Sequence, residues 1–317
     1  MLRGVPLGLI TVFPSQYALQ IGPLNIGWYG LGYVVAVGVM LLVSQRETVL
    51  RGIDPRHITN ALIVVAVLAL IGARLYHVID QWGACGPGQL CYSQNLPAII
   101  LPPYSGLGLY GGIAGAMVGI FIYVRRNRLP FWLALDIVVP GTLFAQGIAR
   151  WGNFFNQELY GPPTDAPWGI TIGCDHRVDP YFCPGDSRLA PGSAGYPQDT
   201  TGFHPLFFYE SALDITGGLV ALWLSRRHLA RLRDGDLASF WFIWYGSVRF
   251  ALETFRFSYD WKLLGIMPTA MFIGVAIVTF GIVTIIWRHR QPAPAASEPP
   301  QAEDSPDEGE PEPEAAV

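Results

Sequence analysis

Charged side chains are scarce in this sequence and make up 14% of its 317 residues, well below the roughly one quarter that is usual in soluble globular domains. This shortage excludes an ordinary cytosolic globule. The basic residues fall in short clusters between apolar runs, and they form no continuous basic stripe of the kind that binds nucleic acid. The composition therefore predicts an integral membrane protein with no nucleic-acid partner.

Lys and Arg are absent from residues 291–317, which hold eight carboxylates and seven prolines. The formal net charge of the chain is −4, so the part before this segment carries +4. A segment with so few apolar residues cannot bury a core. We expect 291–317 to be a disordered, acidic, Pro-rich cytoplasmic tail that follows a membrane domain at 1–290. A dispensable solvated extension is favoured over an interaction segment.

Long apolar runs are the main positive feature of the sequence. A membrane-spanning helix needs roughly 20 mainly apolar residues, and seven segments qualify, at about 24–44, 58–79, 105–124, 130–149, 205–225, 236–256 and 267–287. The first segment is too long for the apolar part of a cleavable signal peptide. The pattern predicts an all-α integral membrane protein with seven transmembrane helices.

The arginines between these segments indicate the direction of each span, because basic residues in short loops resist translocation. Every second connection is basic, with Arg46, Arg51 and Arg56, then Arg125, Arg126 and Arg128, then Arg226, Arg227, Arg231 and Arg233, then Arg288 and Arg290. The connection at 80–104 on the opposite side holds no Lys or Arg. We therefore expect the N-terminus outside and the C-terminus in the cytoplasm.

The four cysteines fall in the two longer outer connections, at Cys85, Cys91, Cys174 and Cys183. Disulfides persist in oxidising compartments, which agrees with this topology. Four cysteines allow three pairings, of which Cys85 with Cys91 and Cys174 with Cys183 is the simplest. Their spacing does not suit Cys-x-x-Cys zinc sites, so no metal is predicted. The connection at about 150–204 is longer than most loops between helices, and loops of this length are usually functional or separately folded. It predicts a small outer head.

Charged side chains within apolar spans are costly and usually face a polar cavity or a partner. The clearest cases are Arg74, Asp136, Glu210, Asp214, Arg249 and Glu253, with Arg150 and Arg256 at the outer ends of their spans. Arg249 and Glu253 are four residues apart and so share a helix face. An isolated pair of this kind could fix helix packing alone. Because several such charges lie in the outer half, we favour a polar cavity that opens outward.

The densest polar segment is GIARWGNFFNQELYG, residues 147–161, at the end of the fourth span. Arg150, Asn153, Asn156 and Glu158 alternate there with aromatic residues. An arginine can grip a phosphate through two hydrogen bonds and stays charged at physiological pH, while Asn amides can donate to hydroxyls. The segment favours an anionic-lipid site at the membrane interface over a purely structural re-entrant turn.

The third span contains three overlapping Gly-x-x-x-Gly spacings between Gly108 and Gly119. Glycines at this spacing let two helix backbones approach closely. Helix packing is the favoured interpretation. A lipid-phosphate site beside exposed backbone, at Gly111, is the alternative.

These segments resemble the prolipoprotein diacylglyceryl transferases of bacteria. The central motif of that family, Gly-Arg-x-Gly-Asn-Phe-x-Asn-x-Glu-x-x-Gly, is matched by residues 149–161, with Ala149 in place of the leading Gly. Four further segments resemble the family in the same order: Trp28-Tyr29-Gly30, Gly72-Ala73-Arg74-Leu75, His204-Pro205 with Tyr209-Glu210, and Tyr245-Gly246 with Arg249, Glu253 and Arg256. The resemblance covers about residues 12–288, and the family's seven-span, N-out arrangement is similar to the one derived above.

The resemblance implies a multi-pass enzyme of the bacterial plasma membrane with its active site toward the outer leaflet. Its reaction is the transfer of the diacylglyceryl group of phosphatidylglycerol to the thiol of the lipobox cysteine in a preprolipoprotein signal segment, with release of glycerol 1-phosphate. No cofactor is implied, because the leaving phosphate is already part of the lipid. The nucleophile is a thiolate of the substrate.

Carried onto this sequence, the resemblance implies roles for individual residues. Arg150 and Arg249 would stabilise charge on the leaving phosphate, and Tyr29 and Tyr245 would donate hydroxyl hydrogen bonds. The phosphatidylglycerol site would also include Asn153, Asn156, Glu158, Gly161, Glu253, Arg256 and Gly111. Arg74, His204 and Glu210 are further candidates.

One position departs from the family pattern. Many members carry a His before the Gly-Gly pair of the third span, where this sequence has Tyr110. A phenol with a pKa near 10 is a poor general base at neutral pH. Either no base is needed at Tyr110 or another group replaces it, with His204 and His77 as alternatives near the outer face.

Two other classes of membrane protein also place charged residues within spans. A transporter often shows internal repeats with interrupted helices, and none is evident. An intramembrane protease would need a Ser–His or paired-Asp arrangement, whereas Asp136 and Asp214 are isolated. Both classes are less favoured than the transferase.

Overall fold

A computed structural model describes residues 17–21, 24–83, 92–93, 96–99, 106–256, 262–263 and 267–291. The described residues form a helical bundle with helices α1 (Trp28–Leu50), α2 (Arg56–Asp80), α3 (Leu109–Arg126), α4 (Phe131–Ala149), α5 (Trp151–Phe155), α6 (Leu206–Arg227), α7 (Asp236–Glu253) and α8 (Thr269–Arg290). Short 3₁₀ turns lie at Leu96–Ile99, Cys174–His176 and Leu229–Arg231. Strands β1 (Tyr17–Ile21) and β2 (Leu24–Gly27) pair antiparallel, as do β3 (Lys262–Leu263) and β4 (Met267–Pro268).

Five of these helical segments are long and apolar enough to cross a membrane: α1, α2, α4 together with α5, α6, and α8. Their outward faces expose large apolar side chains, including Val34, Leu70 and Ile79 at 69%, 60% and 73% exposure. Such a surface is unfavourable in water and favourable in lipid. The chain is a helical multi-pass membrane protein.

Helices α1, α4 and α6 form the centre of the bundle, where α4 packs against both of the others. Helix α2 packs mainly on α3, and α7 packs mainly on α8. We call the end where α4 and α7 finish and α6 begins the head end, since the segment from Asn156 to Pro205 covers it. The other end is called the opposite end.

Side chains from distant helices are tied together at the opposite end. Both carboxylate oxygens of Asp136 on α4 accept backbone hydrogen bonds at the start of α7, from Gly235 N at 2.7 Å and Ala238 N at 2.8 Å. Asp136 therefore supplies the cap that the first turn of α7 lacks from its own sequence. The contacts of Asp136 thus give it a structural role at a helix end.

Helix α3 lies against α2 with almost no side chains between the two backbones. A Cβ atom on Gly115 would come within 3.1 Å of the Ala69 Cα, and one on Gly119 within 3.0 Å of the Val65 Cα. Gly111 is buried against Gly72 in the same contact. The prediction that these glycines serve helix packing is confirmed.

The head has its own small core of Ile170, Ile172, Tyr181, Phe203 and Phe207. A disulfide joins Cys174 to Cys183, which is the pairing expected from the sequence, while Cys85 and Cys91 lie outside the described residues. The Arg177 side chain is buried across the Phe203 ring, 5.0 Å from its centroid. Its Nε and Nη1 donate to the carbonyl oxygens of Ile172 and Tyr196 at 2.9 and 2.6 Å. Burial lowers the pKa of this guanidinium from its ordinary value.

The structure corrects several predicted boundaries. The first helix runs from Trp28 to Leu50 and not from 24 to 44, so Arg46 lies within α1 and not in the following loop. Helix α3 begins at Leu109, after Gly106 and Gly108. The two strand pairs were not predicted, because β1 and β2 are apolar segments beside a longer helical run. The tail predicted after residue 290 lies almost wholly outside the described residues.

Candidate active site

The motif at 149–161 forms a tight corner between the bundle and the head. Arg150 joins α4 to α5 with helical backbone angles, φ −60° and ψ −25°. After α5 the chain turns sharply, because Gln157 and Leu159 have φ values of +54° and +57°, which residues with side chains seldom adopt. The Gln157 side chain holds the turn by accepting a hydrogen bond from Gly173 N at 2.7 Å. This corner directs the motif's polar side chains to the head end of the bundle.

Five charged side chains form an alternating row at the head end, which we call the arginine–glutamate row: Arg150, Glu210, Arg249, Glu253 and Arg256. Glu210 Oε1 contacts Arg150 Nη2 at 2.6 Å and Arg249 Nη1 at 3.6 Å. Glu253 Oε2 contacts Arg249 Nη2 and Arg256 Nη1, both at 3.5 Å. Glu210 Oε1 has no partner at hydrogen-bond angles, so these contacts are ion pairs and not well-aligned hydrogen bonds.

The row combines three guanidiniums with two carboxylates. The carboxylates are almost fully buried, whereas the Arg150 and Arg249 side chains keep 25% and 21% of their surface exposed. The negative charges therefore lie behind the positive ones. Such an arrangement presents cations to an anionic ligand while each cation is held by a carboxylate.

Asp214 lies one helical turn from Glu210 on α6 and is fully buried. Neither of its carboxylate oxygens has a hydrogen-bond partner among the described residues. Its electrostatic neighbours are Glu210, Arg150 and Arg249. Asp214 thus adds a third carboxylate beneath the arginine–glutamate row.

The motif's amides hold its carboxylate in place. The Asn153 side-chain nitrogen donates to Glu158 Oε1 at 2.7 Å, and that of Asn156 donates to the same oxygen at 3.3 Å. Glu158 N also donates to the Asn153 carbonyl oxygen at 2.9 Å. One oxygen of the exposed Glu158 carboxylate is therefore held by two amide hydrogen bonds. These bonds restrict the position of the Glu158 side chain.

Tyr29, near the start of α1, packs directly against the motif. A Cβ atom on Gly152 would come within 2.6 Å of the Tyr29 ring, so only glycine allows this contact. The Tyr29 hydroxyl lies 3.3 Å from the Tyr33 hydroxyl and within electrostatic range of Glu158 and Arg150. Tyr29 therefore lies near both the carboxylate and the guanidinium of the motif.

Tyr245 on α7 approaches the row from another side. Its ring stacks on Trp241 at 5.1 Å between centroids, and its hydroxyl lies within electrostatic range of Arg249, Glu210 and Arg150. Tyr245 therefore lies near both arginines of the row, whereas Tyr29 lies near Arg150.

Gly161 and His204 form the joint between the head and α6. Gly161 N donates to the His204 carbonyl oxygen at 2.8 Å, and a side chain on Gly161 would press on His204 and Leu206. His204 Nδ1 lies 3.0 Å from the Tyr209 hydroxyl, which also accepts a hydrogen bond from Trp168 Nε1 at 2.7 Å. These contacts give both residues a structural role in seating the head.

Three predicted site residues have their described contacts on or beside the α2–α3 pair. Tyr110 is mostly exposed beside Tyr76, 5.9 Å between ring centroids. Arg74 donates to the carbonyl oxygens of Ile99 and Gly106 at 3.0 and 3.2 Å, and its guanidinium lies over the Tyr92 ring. Gly111 is in the α2–α3 contact described above. Their role in the substrate site stays a prediction.

Several residues at the site were not predicted from the sequence. Tyr33 could have been found, because it lies one helical turn after Tyr29 on the same face. Trp168 gave no such indication, and the contacts of Gln157 and Tyr209 were not predicted although both residues lie in segments that resemble the family. His77, an alternative base, lies beside Tyr92 at 5.9 Å between centroids and close to Gly106.

The fold and the site together define a multi-pass helical membrane protein with a cationic cluster at one end of the bundle. Within the described residues, no group of three or more His, Cys, Asp or Glu side chains could hold a metal ion. The family model of prolipoprotein diacylglyceryl transferase matches residues 16–287. The chain belongs to the prolipoprotein diacylglyceryl transferase family, and this membership makes it a transferase.

Individual relatives agree with this assignment. The chain is 37% identical over 284 residues to a protein of Chloroflexus aggregans, with 85% of this chain and 87% of the relative covered. It is 31% identical to a protein of Synechococcus elongatus, with 89% and 90% covered. It is 34% identical to one of Streptococcus pneumoniae, with 87% and 95% covered. Each of these relatives is named phosphatidylglycerol–prolipoprotein diacylglyceryl transferase.

Proposed function

We propose that this chain transfers the diacylglyceryl group of phosphatidylglycerol to the thiol of a lipobox cysteine in a preprolipoprotein and releases glycerol 1-phosphate. The observation that carries this proposal is the arginine–glutamate row, with two partly exposed guanidiniums in front of buried carboxylates. A phosphodiester in this position would meet two positive charges that are already oriented. Family membership supports the choice of lipid and acceptor.

The reaction forms a bond between the cysteine sulfur, as thiolate, and the glycerol carbon of the diacylglyceryl group. The bond from that carbon to the phosphate oxygen breaks, and its electron pair leaves with glycerol 1-phosphate. Negative charge grows on this oxygen as the bond breaks. Arg150 and Arg249 therefore stabilise the transition state more than the ground state, which is the requirement for catalysis.

The remaining site residues position the lipid in this proposal. Asn153, Asn156 and Glu158 shape the place of the glycerol headgroup, where Glu158 offers an accepting oxygen to hydroxyls. Tyr29 and Tyr245 supply hydroxyl donors at the phosphate, and Glu253 and Arg256 extend the row. Gly161, His204 and Glu210 support the site from behind. Tyr110, Arg74 and Gly111 contribute to the site from the side of the α2–α3 pair.

We further propose that all seven long helices cross the bacterial plasma membrane, with the N-terminus outside and the C-terminus in the cytoplasm. The arginine clusters at the opposite end and the disulfide in the head support this direction. The active site then faces the outer leaflet under the head at about 150–204. Residues 291–317 form a disordered cytoplasmic tail in this arrangement.

Mass spectrometry of a lipobox peptide, incubated with the purified protein and phosphatidylglycerol, tests the reaction. We expect a mass gain of one diacylglyceryl group on the peptide cysteine. The gain should be absent when the peptide cysteine is replaced by Ala and should fall at least about 100-fold with Arg150→Ala, since loss of one oriented charge donor costs that much. Tyr110→Phe tests whether a base is needed at this position, because full activity without the hydroxyl would show that none is needed.

Arg188→Ala is the matched control, because Arg188 lies on the head surface and pairs with Asp186 at 2.8 Å. It should keep full activity. If folded wild-type protein gives no mass gain under any lipid condition, the proposed reaction is wrong. If Arg150→Ala is as active as the wild type, the role of Arg150 is wrong.

A further inference from the structure

A second cationic site lies at the opposite end of the bundle, in a groove between α1, α2 and α6. The groove has a volume of about 860 Å³. Its polar lining includes Arg46, Arg56 and Arg226, and its apolar lining includes Leu42, Val49 and Leu229. We call it the arginine groove. On its floor, the Gln45 side chain donates to Thr59 Oγ1 at 3.1 Å and ties α1 to α2.

The positive charge of the arginine groove is only partly neutralised by the protein. The side chains of Arg46 and Arg56 form no ion pair within the described part of the chain. The Asp54 carboxylate is used by the backbone instead, since Arg56 N donates to Asp54 Oδ1 at 2.8 Å. Arg226 contacts Glu47 Oε1 at 3.5 Å, but Glu47 is fully buried and also pairs with Arg51 at 2.9 Å. Ser225 donates a hydrogen bond to the same carboxylate. The Glu47 carboxylate is thus already bound by Arg51 and Ser225 inside the bundle. The side chains that line the groove therefore carry a net positive charge.

The walls of the groove indicate which anion it suits. Leu42 and Val49 are each 59% exposed, on a helix that is long and apolar enough to cross a membrane. A free phosphate or an acidic peptide gains nothing from such walls. A lipid fits both parts, because its headgroup can meet the arginines while an acyl chain lies along the leucine and valine side chains.

The arginine groove is distinct from the candidate active site. Tyr29 at the site and Arg46 at the groove lie 17 residues apart on α1, which at the rise of an α-helix is about 25 Å. One lipid headgroup cannot reach both sites.

We propose that the arginine groove binds the headgroup of an anionic phospholipid from the leaflet at the opposite end of the bundle. This bound lipid is a separate molecule from any lipid at the arginine–glutamate row. The proposal rests on the groove alone and does not depend on the proposed reaction. Its physical basis is the combination of unneutralised guanidiniums and exposed aliphatic walls in one cleft.

Native mass spectrometry of the full chain in detergent, delipidated and then titrated with phosphatidylglycerol, tests the proposal. The wild type should bind lipid at the groove in addition to lipid at the head end. Arg46→Gln/Arg56→Gln should lower the affinity for one bound phosphatidylglycerol molecule by about tenfold or more. Arg46→Lys/Arg56→Lys should retain most of that binding. Arg150→Ala should leave the groove lipid in place, which separates this test from that of the proposed reaction.

Arg126→Gln/Arg290→Gln is the matched control, since both arginines are exposed at the same end but do not line the groove. It should bind phosphatidylglycerol as the wild type does. Equal weakening by the control pair would show a general surface-charge effect and overturn the proposal. Three other results would also overturn it. The wild type could bind phosphatidylethanolamine as tightly as phosphatidylglycerol, or glycerol phosphate at the same concentration could displace the lipid. The third result is unchanged phosphatidylglycerol binding in Arg46→Gln/Arg56→Gln.

Discussion

At the scale of the residue, Glu210 connects parts of the site that are far apart in sequence. One of its oxygens contacts both Arg150 and Arg249, so a single carboxylate sets the spacing of two guanidiniums that come from different helices. Position matters at such a site, since a shift of about 1 Å in a catalytic group can cost about 100-fold in rate. Glu210 is therefore a positioning residue whose effect passes through the two arginines.

We expect Glu210→Gln to lower kcat for diacylglyceryl transfer by at least about tenfold, because the amide keeps the size of the side chain but is uncharged and cannot form an ion pair with either guanidinium. Kinetics of lipobox-peptide modification would measure this loss. Asp186→Asn, on the head surface, is the control and should leave kcat unchanged. Unaltered kcat and KM in Glu210→Gln would contradict the assigned role.

At the scale of the element, the α2–α3 pair depends on glycines. Their absence of side chains lets the two backbones touch, and dispersion contacts between them replace the interlocking of larger residues. The tolerance for an added methyl group then differs sharply between glycines. Gly115 has backbone atoms of α2 against it, whereas Gly38 in α1 has no atom within 4 Å of the place of a Cβ.

Gly115→Ala should lower the thermal unfolding midpoint of the purified protein, since the methyl group forces the two helices apart at a cost of about 1–3 kcal/mol. Gly38→Ala should leave the midpoint unchanged or raise it, because alanine favours helix by up to about 1 kcal/mol. A thermal shift assay in detergent compares them. Equal midpoints for both variants would be inconsistent with the tight α2–α3 contact.

Sequence reasoning was most successful where one element carries the whole pattern. The apolar runs predict the helices of the bundle, and the Gly-x-x-x-Gly spacing predicts the α2–α3 contact. Asn153 and Glu158, which are joined by a hydrogen bond, come from one short motif. It did not reach contacts such as Arg150 with Glu210, because these residues are 60 positions apart and nothing local pairs them. It also assigned Gly111 and Tyr110 to the substrate site, which stays a prediction, and their described contacts are with α2.

At the scale of the whole molecule, the head is a small separate core fastened to the bundle at the motif corner and at α6. A core this small buries little apolar surface, so a covalent link has a large share in its stability. The Cys174–Cys183 disulfide closes a loop around the segment that holds Arg177. The head should therefore be the part of the molecule most sensitive to loss of a covalent bond.

Cys174→Ser/Cys183→Ser should destabilise the head by about 2–3 kcal/mol through loss of the closed loop. Limited proteolysis would show faster cleavage within 174–198 than in the wild type, with the bundle helices still protected. Ser193→Ala, a small exposed change in the same segment, should leave the cleavage pattern as it is. Equal cleavage rates in the cysteine variant and the wild type would argue against a stabilising role for the disulfide.

The Asp136 cap also bears on the order in which the protein is made. Its two acceptor oxygens belong to α4, and the backbone groups they bind start α7, about 100 residues later in the chain. During synthesis the acceptor is thus already present when α7 leaves the ribosome. If the chain were expressed as two pieces divided in the turn after Arg227, the Asp136 carboxylate of the first piece would bind the start of α7 in the second. We therefore expect the two pieces to assemble.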